Sequence, residues 1–502
     1  MLVKASREKP SAAKPVKGPA KASHDTGTPD NLIKFMLESW KPASGKLPAP
    51  IAHHEAFEKR RRALSAKFPG EVLIIATGHE KVRANDTHYR FRPGSDFYWL
   101  TGNIEPDCVL VMVPRGRGKA ASHVDVLYVE PNPGRSSATF YTDRNKGELW
   151  VGPRLGVKES QARFRTAKCE SLADLPAYLV KLAQQTKGKG VRVLRGFSNK
   201  IERHFPRKEK DKTDRELGAA LGELRLLKDD VELKELSKVI ASTKRGFEDV
   251  IRSLGKARSE RIVEGVFGLR ARVEGNDVGY GTIAAAGHHA CVLHWTRNDG
   301  PLTKGDLLLL DAGVEGNSLY TADITRSLPI SGKYSKEQRT IHDLVHRAQA
   351  AAFAAVRPGN DFLEPNRAAM KVLAEGLEQL GILTMSAEEA LKEENQFYRR
   401  YSLHNVSHML GLDVHDCALA RQETYKFGKL KPGMVLTVEP GLYFQKDDLT
   451  VPARFRGIGV RIEDDVVVTK SGYKNLSADI PSSSDAVEAW MKPLLGQPSE
   501  LA

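Results

Sequence analysis

The chain has 502 residues, of which 40% are hydrophobic and 28% are charged, and its formal net charge at pH 7 is +14. That composition is ordinary for a globular protein, and no apolar run approaches the ~18 residues of a membrane-spanning helix, which argues against a membrane protein. The positive charge is compatible with a nucleic-acid partner, an anionic surface or solubility alone. The length corresponds to about three domains of typical size, but the patterns below predict two domains with a tail at each end.

The N-terminal segment is basic and poor in apolar residues. Residues 1–25 contain six lysines and arginines and two acidic residues, among many alanines, prolines and serines. Such a segment cannot bury enough apolar surface to fold, so we predict a partly disordered basic tail over 1–45, with a short helix over 31–40. The segment also lacks the apolar stretch of a secretory signal.

The cysteine pattern predicts a reduced protein. The four cysteines are far apart in the sequence, and a chain of this length needs no disulfide bonds to hold its core. With the missing signal, this favours a cytoplasmic location. Cys417 lies near the candidate site described below, but it has no second cysteine nearby, and we interpret it as a packing residue.

Residues 46–220 predict an α/β domain. Helical spacing in EAFEKRRRALSAKF is followed by the buried strand pattern GEVLIIATG, which ends at a glycine. Further strands are predicted at 96–101 and in CVLVMVP, VDVLYVEP and VRVLRGF, and a helix in SLADLPAYLVKLAQQ, so the sheet should be mainly parallel or mixed. No G-x-G-x-x-G opens a helix, so no nucleotide site is predicted. The charged segment 204–216 is the candidate domain boundary.

Residues 221–475 predict an α+β domain. It begins with two long helical patterns, over 223–255 and 259–277. Strand patterns with glycine turns follow in YGTIAAAG, CVLHWT, DLLLLDAG and LYTADITRSLPI, then two more helices and the closing strands MVLTVEPGLYF and GVRIEDDVVVT. Residues 476–502 are rich in serine, proline and aspartate, and we predict a C-terminal tail there.

A histidine-rich stretch suggests where the chemistry lies. LHNVSHMLGLDVHD, residues 403–416, holds three of the fifteen histidines of the chain, His404, His408 and His415. Four carboxylates elsewhere lie in tight, turn-bounded contexts, namely Asp311, Asp323, Glu439 and Glu463. We hypothesise that one of the imidazoles and the four carboxylates hold two metal ions.

The local sequences give reasons for such a site. Asp311 ends the aliphatic run DLLLLD, where a lone buried carboxylate is costly unless it meets a cation. Asp323 follows on what reads as the return strand of a hairpin, Glu439 is in an apolar strand that ends at Pro-Gly, and Arg461 and Glu463 share one face of a strand. Oxygen ligands with one imidazole suit manganese, cobalt or iron. Two such ions about 3.5–4 Å apart imply hydrolysis.

Each residue taken singly also has a structural interpretation. Asp323 could pair with Arg326, and Glu463 could pair with Arg461. The two histidines that are spaced by four could share one face of a helix. The conjunction of all these residues favours the metal site.

Several motifs occur in a fixed order along the chain. They are Arg92-Pro-Gly-Ser-Asp96-Phe-Tyr-Trp-Leu-Thr-Gly102, Cys291-Val-Leu-His294-Trp295, Asp311-Ala-Gly, Tyr320-Thr-Ala-Asp323-Ile-Thr-Arg326, His404 to Asp416, Thr437-Val-Glu439-Pro-Gly and Val460-Arg461-Ile-Glu463. This set resembles the pita-bread metallopeptidases, and within them the Xaa-Pro aminopeptidase (aminopeptidase P) branch, over most of the chain from about 60 to 470. The resemblance implies a creatinase/prolidase-type α/β N-terminal domain and an α+β pita-bread catalytic domain.

The resemblance also implies the ligands of the metal ions. Asp311 would bind one ion, His408 and Glu439 the other, and Asp323 and Glu463 both. Glu439 would also be the general base for the water that bridges the ions. The cofactor would be two divalent ions, with Mn2+ as the first expectation and Co2+, Fe2+ or Zn2+ as alternatives.

Five further side chains match functional positions of the family. His294 and His415 would hold the scissile carbonyl and stabilise the tetrahedral intermediate. His404 and Arg461 match other active-site positions. Tyr98 matches an aromatic position that approaches the substrate in relatives, in some of them across a subunit interface.

Three positions depart from the family pattern. One extra residue lies between the two aspartates, Asn405 replaces a frequent glycine, and Ser327 replaces a frequent threonine. These departures concern loop shape and substrate preference, because none of them removes a metal ligand.

The leading hypothesis is an exopeptidase that releases the N-terminal residue from short peptides with proline second. Proline calls for a dedicated enzyme because it lacks an N–H and its ring fixes φ. The alternatives are a prolidase, which cleaves only Xaa-Pro dipeptides, and a non-catalytic pita-bread binding module. Because all five candidate metal ligands are present, we do not expect a nucleic-acid partner. We do not expect a membrane partner either, because no apolar run is long enough to span a bilayer. We expect a homodimer or homotetramer.

Overall fold

The structure is a computed structural model that describes residues 27–41, 45–116, 122–208 and 211–498. Most of the predicted basic tail and two residues of the charged segment 204–216 lie outside these ranges. Within them, the predicted N-terminal helix is present as α1 (Asp30–Met36). None of the helices formed by these residues is long and apolar enough to cross a bilayer.

The first half of the chain forms a mixed α/β layer structure. Its helices after α1 are α2 (His54–Lys67), α3 (Ser95–Thr101), α4 (Thr139–Thr142), α5 (Glu148–Val151), α6 (Val157–Phe164), α7 (Leu175–Thr186), α8 (Asn199–Glu202) and α9 (Thr213–Arg225). Its strands are β1 (Val72–Ala76), β2 (Val82–Ala84), β3 (Thr87–His88), β4 (Val109–Arg115), β5 (Ser122–Val129), β6 (Lys168–Ser171) and β7 (Val191–Val193).

The central sheet has the strand order β6-β5-β4-β1-β7. β1 is antiparallel to β4 and parallel to β7, and β5 is antiparallel to β4 and parallel to β6. Alternate side chains of a strand point to opposite faces. Leu73 and Ile75 therefore pack with α2, whereas Val72 and Ile74 pack with α7. The prediction of a mixed α/β sheet is confirmed.

The prediction of a strand at residues 96–101 is wrong, because this segment is helix α3. Every side chain from Ser95 to Thr101 is buried, so the segment has no polar face from which its periodicity could be read. Gly102 ends the helix at φ 70°, a left-handed conformation that favours glycine.

The second half of the chain is α+β, as predicted. Its helices are α10 (Asp230–Leu254), α11 (Glu260–Glu274), α12 (Lys336–Ala355), α13 (Glu364–Gln379), α14 (Ala387–Leu391) and α15 (Ser484–Leu494). Its strands are β8 (Asp277–Val278), β9 (Ile283–Ala286), β10 (Leu307–Ala312), β11 (Val314–Glu315), β12 (Ile324–Pro329), β13 (Val435–Val438), β14 (Gly441–Tyr443), β15 (Gly459–Arg461), β16 (Asp464–Val468) and β17 (Tyr473–Asn475).

The helical pattern over 223–255 is two helices with a break between them. α9 ends at Arg225, and α10 starts after Asp229, whose side chain accepts a hydrogen bond from the Glu232 N–H in a capping box. α9 also spans residue 220, where we place the boundary between the domains. The division at that residue stays a prediction.

The antiparallel strands of the second half form several small sheets. One has the order β12-β10-β9, another β13-β16-β17, and β14 pairs with β15. Isolated bridges from Thr325 to Glu463 and from Met409 to Leu436 join these sheets to each other and to the histidine-rich stretch. The ends of different strands therefore meet in one region.

The pattern CVLHWT, predicted as a strand, is a turn region instead. Residues Gly287–Cys291 form a 3₁₀ helix, and the chain from 292 to 299 has no regular structure. The buried Glu260 carboxylate explains this. It accepts hydrogen bonds from the backbone N–H groups of Ala286 and Gly300 and from the Trp295 indole, so the segment folds around it.

The segment predicted as a C-terminal tail contains helix α15. Ser483 caps this helix, and Val487 and Met491 are fully buried against the second-half core. The Arg326 guanidinium also donates hydrogen bonds to the carbonyls of Ile480 and Pro481. The prediction of a tail overlooked this helix and the residues that anchor it.

Candidate metal-dependent active site

A cavity of about 760 Å³ lies where the strand ends of the second half meet. Nine of the ten site residues predicted from the sequence line it: His294, Asp311, Asp323, His404, His408, His415, Glu439, Arg461 and Glu463. In the part of the chain that the structure describes, the histidine-rich stretch and the four separate carboxylates therefore meet in one cavity.

Strand register explains how the carboxylates meet. Asp311 in β10 is opposite Thr325 in β12, so Asp323, two residues before Thr325, is close to the end of β10. Thr325 also bridges to Glu463 between β15 and β16. Glu439 directly follows β13. A hairpin and two neighbouring strand ends thus converge.

His408 directs one ring nitrogen at the carboxylates. Its Nε2 lies 3.3 Å from Asp323 Oδ2 and 3.4 Å from Glu439 Oε1. Its Nδ1 lies 3.2 Å from the carbonyl oxygen of Met409. Because a carbonyl only accepts, Nδ1 carries a proton, and this fixes the ring with Nε2 facing the acidic groups, as is common for metal-binding histidines.

The two aspartates are joined by Tyr280. Its hydroxyl lies 2.6 Å from Asp311 Oδ1 and 2.5 Å from Asp323 Oδ1. Arg461 Nη2 donates to the other oxygen of Asp311 at 2.5 Å, and Arg461 Nε donates to the Thr325 hydroxyl at 3.2 Å. Arg461 is thus a buried positive charge beside the acidic cluster.

The donor set fits a divalent metal. Asp323, His408 and Glu463 each offer a ligand atom, and these atoms lie within 4.8 Å of one another. Asp311 and Glu439 lie outside this group of three, but Tyr280 and His408, respectively, connect them to it. Four carboxylates with one imidazole form an oxygen-rich set, which suits hard or borderline ions.

The electrostatics of the cluster indicate that it needs positive charge. Burial is the main cause that raises the pKa of Asp323, Glu439 and Glu463, and the neighbouring carboxylates raise the pKa of all three further. A carboxylate with a raised pKa is unfavourable in its ionised form. Bound cations would remove this cost, so the site is arranged for metal ions.

His404 belongs to a hydrogen-bonded group with Tyr443 and Arg461. Burial, assisted by the charge of Arg461, lowers the pKa of His404 to about 4, so the ring is neutral at pH 7. Its Nδ1 donates to the Asn405 carbonyl at 2.9 Å, so its Nε2 accepts from the Tyr443 hydroxyl at 2.7 Å. Arg461 Nη1 donates to the same hydroxyl at 3.0 Å.

His294 and His415 are the exposed histidines of the cavity. The His415 ring is 4.4 Å from the His408 ring, edge to face. His294 lies in the turn region that folds around Glu260. Both rings are therefore accessible to a molecule that enters the cavity.

Tyr98 does not line the cavity formed by the described residues. Its ring is only 6% exposed and packs edge to face against Phe57, 6.1 Å away, in the core of the first half. The packing of α3 against α2 accounts for this placement, and the substrate role suggested for Tyr98 finds no geometric support within one chain.

Two structural interpretations of single residues are corrected by the contacts. Arg326 pairs with Asp464 at 2.8 Å and not with Asp323. Arg461 pairs with Asp311 and not with Glu463.

The histidine-rich stretch is also not a helix, because residues 402–416 run as turns and bends. Cys417 is buried in the core, as predicted for a packing residue.

Sequence reasoning missed four polar residues next to the carboxylates. They are Tyr280, Thr325, Tyr443 and Asp465. The Thr325 hydroxyl donates a hydrogen bond to Glu463 at 2.6 Å, and the Asp465 carboxylate accepts one from the Asp323 N–H at 3.1 Å. Three of the four stand two or four residues after a predicted ligand, and this position is their only signal in the sequence. Polar side chains at such positions are common in any strand, so the signal is weak.

Comparisons with known proteins bear on the identity of the chain. Residues 234–470 match the model of metallopeptidase family M24, and residues 57–191 match that of the aminopeptidase P N-terminal domain. Xaa-Pro aminopeptidase 1 of Streptomyces coelicolor is 50% identical over 94% of this chain and 94% of its own length. Xaa-Pro aminopeptidase of Escherichia coli is 30% identical over 87% of this chain and 97% of its own.

The fold comparison gives the same result. A solved structure of aminopeptidase P from E. coli with the inhibitor Pro-Leu has a TM-score of 0.77 and 28% sequence identity, and the alignment covers 88% of this chain and 99% of that chain. The predicted combination of an α/β N-terminal domain and a pita-bread domain is confirmed. The chain belongs to metallopeptidase family M24, with the two-domain architecture of aminopeptidase P.

Proposed function

We propose that the protein is an Xaa-Pro aminopeptidase, a metal-dependent hydrolase that removes the N-terminal residue from short peptides with proline second. One observation carries the proposal: the similarity to curated Xaa-Pro aminopeptidases extends over 94% of both chains. The cavity supports it, because it combines an acidic cluster with exposed histidines in a space large enough for a short peptide.

The membership in M24 implies divalent metal ions, and the donor set fits them. We propose two Mn2+ ions, the first held by Asp311, the second by His408 and Glu439, and both by Asp323 and Glu463. Bound ions of this kind supply Lewis acidity and lower the pKa of water.

The residues of the chain supply the other parts of the reaction. In the proposal, the Glu439 carboxylate accepts a proton from the attacking water and passes it to the proline nitrogen as the C–N bond breaks. His294 and His415 hold the scissile carbonyl, and the carbonyl oxygen gains negative charge that their N–H groups stabilise. His404 and Arg461 hold their positions through the shared Tyr443 hydroxyl.

The test is hydrolysis of a matched pair of peptides, an Xaa-Pro dipeptide and an Xaa-Pro-Xaa tripeptide, by metal-stripped protein with and without Mn2+. We expect cleavage of the tripeptide before proline, only with metal. Cleavage of the dipeptide alone would show a prolidase instead. No cleavage of either peptide, with metal bound, would contradict the proposal and favour a non-catalytic module.

Metal binding should release protons and become tighter as the pH rises. Burial lowers the pKa of His408, but its hydrogen bond to Asp323 and the charges of Glu439 and Asp323 outweigh this and raise that pKa to about 9 without metal. At pH 7 the imidazole is therefore protonated and must lose its proton to bind an ion. Isothermal titration of stripped protein with Mn2+, in buffers that differ in ionisation enthalpy, measures this release.

The expected sign of the pH effect is definite. From pH 6 to pH 9, the fraction of neutral His408 rises, so the apparent affinity for Mn2+ should rise too. In His408→Gln, Mn2+ binding should be weaker, and the part of the proton release that comes from the imidazole should disappear. An affinity that is the same at pH 6 and pH 9 would contradict the assignment of His408 as a ligand.

We further propose that the protein is cytoplasmic and forms a homodimer or homotetramer. All four cysteines are free, which suits a reducing compartment, and the family resemblance supports an oligomer. Light scattering coupled to size-exclusion chromatography would measure the mass of the assembly, and a monomer would contradict the oligomer.

A further inference from the structure

The loop that carries His415 is tied to the first half of the chain by a group of charged and polar side chains that are buried except for Asp413. We call this group the interdomain clamp, and it consists of Ser95, Asp96, Arg225, Lys228, Asp413 and Asp416. The first two are in α3, the next two lie at the break between α9 and α10, and the last two flank His415.

Asp416 is held between two cations. Its side chain is 1% exposed, and Lys228 Nζ donates to its Oδ2 at 2.7 Å. Arg225 Nη2 donates to the other oxygen, Oδ1. Burial would raise the pKa of Asp416, but the charges of Arg225 and Lys228 hold it below its usual range, so the group is ionised. Such a buried, doubly paired carboxylate has little freedom to move.

The clamp reaches α3 by two further bonds. Arg225 Nη1 donates to Asp96 Oδ1 at 2.7 Å. Ser95 Oγ donates to Asp413 Oδ1 at 2.6 Å, and Arg225 Nη2 also donates to Asp413 Oδ2 at 2.9 Å. In the motif Ser95-Asp96, which the proposed reaction does not use, Ser95 therefore contacts Asp413 directly, and Asp96 is linked to Asp416 through Arg225.

The backbone of the loop is shaped around these contacts. A Cβ at Gly411 would lie 2.4 Å from Asp416 Oδ2 and 2.9 Å from Lys228 Cε, so glycine leaves the space that the ion pair occupies. Cys417, next to Asp416, has φ 61°, a left-handed conformation that is unfavourable for cysteine and persists when its surroundings hold it. The loop is thus fixed by packing and charge.

The His415 ring has no such support of its own. Among the described residues, none forms a hydrogen bond to it, and it is exposed to the cavity beside His408. Its position is therefore set by the backbone of the loop, which the carboxylates on either side of it fix.

We propose that the interdomain clamp positions His415 for the reaction, with Arg225 and Lys228 as positioning residues. The inference rests on the proposed function, in which His415 holds the scissile carbonyl. It gives the Ser95-Asp96 motif a role in catalysis from outside the cavity. A displacement of about 1 Å of a group that contacts the reacting atoms reduces rates by about 100-fold, so loss of the clamp has a kinetic effect.

The first test is the variant Lys228→Met, which keeps the length of the side chain and removes its charge. With Mn2+ and an Xaa-Pro-Xaa tripeptide, we expect kcat to fall by about 10- to 100-fold, KM to change by less than about threefold and metal content to stay the same. Ser95→Ala is a milder second variant that removes the hydrogen bond to Asp413 and the one from Arg92, and it should lower kcat by about threefold.

The same substitutions in a His415→Ala background separate positioning from general damage. If the clamp acts through His415, Lys228→Met should lower the remaining kcat by less than about twofold there, because coupled residues are not additive. An equal fall in both backgrounds would overturn the proposal. So would a folded Lys228→Met whose kcat is within about twofold of the unmodified enzyme.

Two controls complete the test. Arg270 in α11 forms a buried ion pair with Asp249 in α10, with Nε and Oδ2 2.7 Å apart. Arg270→Met breaks this pair and should leave the kcat of folded protein within about twofold of the unmodified enzyme. Hydrogen exchange of residues 409–417 does not depend on the reaction. It should be about tenfold faster in Lys228→Met and unchanged in Arg270→Met, so this readout stands even if the proposed function fails. Unchanged exchange in Lys228→Met would contradict the clamp.

Discussion

Glu439→Gln should lower kcat by about 1,000-fold at saturating Mn2+, with KM changed by only a few-fold. The carboxylate lies 3.4 Å from His408 Nε2 and 3.5 Å from His404 Nδ1. Without metal, burial raises its pKa, and in the proposed reaction its carboxylate accepts the proton of the attacking water. Glutamine keeps the shape and one oxygen ligand atom but cannot accept a proton. Steady-state kinetics of the tripeptide measure the effect.

The experiment needs metal saturation and a matched control. Because glutamine is a weaker ligand than glutamate, Mn2+ is varied until kcat is constant, and the bound metal is counted. Glu488→Gln makes the same chemical change in α15, where the carboxylate pairs with Lys333 and Arg339. We expect it to retain kcat within about twofold. A Glu439→Gln enzyme that saturating metal restores to within about tenfold would limit Glu439 to metal binding.

The candidate site could be recognised in the sequence because its charged residues stand in distinctive contexts. Asp311 ends an aliphatic run and Glu439 ends an apolar strand, and buried carboxylates at such places need a cation. Three histidines within fourteen residues are likewise rare in a chain with fifteen. The structure brings nine of the ten predicted site residues to one cavity.

The neutral residues of the site were not predictable in this way. Tyr280 joins the two aspartates, and Tyr443 joins His404 to Arg461, but a tyrosine in a predicted strand is usually a packing residue. Their roles depend on where their hydroxyl groups point, which only tertiary packing decides. Tyr98 shows the opposite case, since a matching motif suggested a substrate contact, whereas within one chain its ring packs against Phe57; its role stays a prediction.

The errors in the fold have a common physical cause. α3 and the segment 291–296 are short apolar runs, and such runs do not distinguish a strand from a buried helix or a turn. Their structures depend on partners far away in the sequence, such as Glu260 for the second of them. α15 was overlooked although Ser483 is a good N-cap and Val487 and Met491 have helical spacing.

Without metal, the Glu463→Gln variant should be at least as stable as the unmodified protein, and with metal it should be less stable. Without metal, burial and then the charges of Asp323, Glu439 and Asp311 raise the pKa of Glu463 well above its ordinary value. A carboxyl group whose pKa is higher in the folded than in the unfolded state destabilises the folded protein as the pH rises above the unfolded-state pKa. Glutamine has no charge, so the metal-free variant should melt at the same or a higher temperature at pH 8.

With metal the order should be the opposite. Mn2+ at 100 times its dissociation constant stabilises a protein by about 2.7 kcal/mol, and the unmodified protein should gain this while the variant gains little. Thermal unfolding of both proteins with a chelator and with excess Mn2+ gives the four melting temperatures. The advantage of the metal-free variant should also shrink from pH 8 to pH 5, because the cost of a raised pKa falls as the pH approaches the ordinary pKa of a glutamate.

A second buried glutamate provides the control. Glu315 is 4% exposed and burial raises its pKa, but it has a cation partner, Arg92 Nε at 2.6 Å. Glu315→Gln removes the nearest carboxylate of that arginine and leaves it only Asp413, 3.7 Å away, so it should lower the melting temperature with and without metal. If Glu463→Gln behaves in the same way, the repulsion between the buried carboxylates is not what the metal ions relieve. If metal reverses the sign of the change in melting temperature for Glu463→Gln and not for Glu315→Gln, the four carboxylates are charged groups that the fold tolerates because ions bind between them.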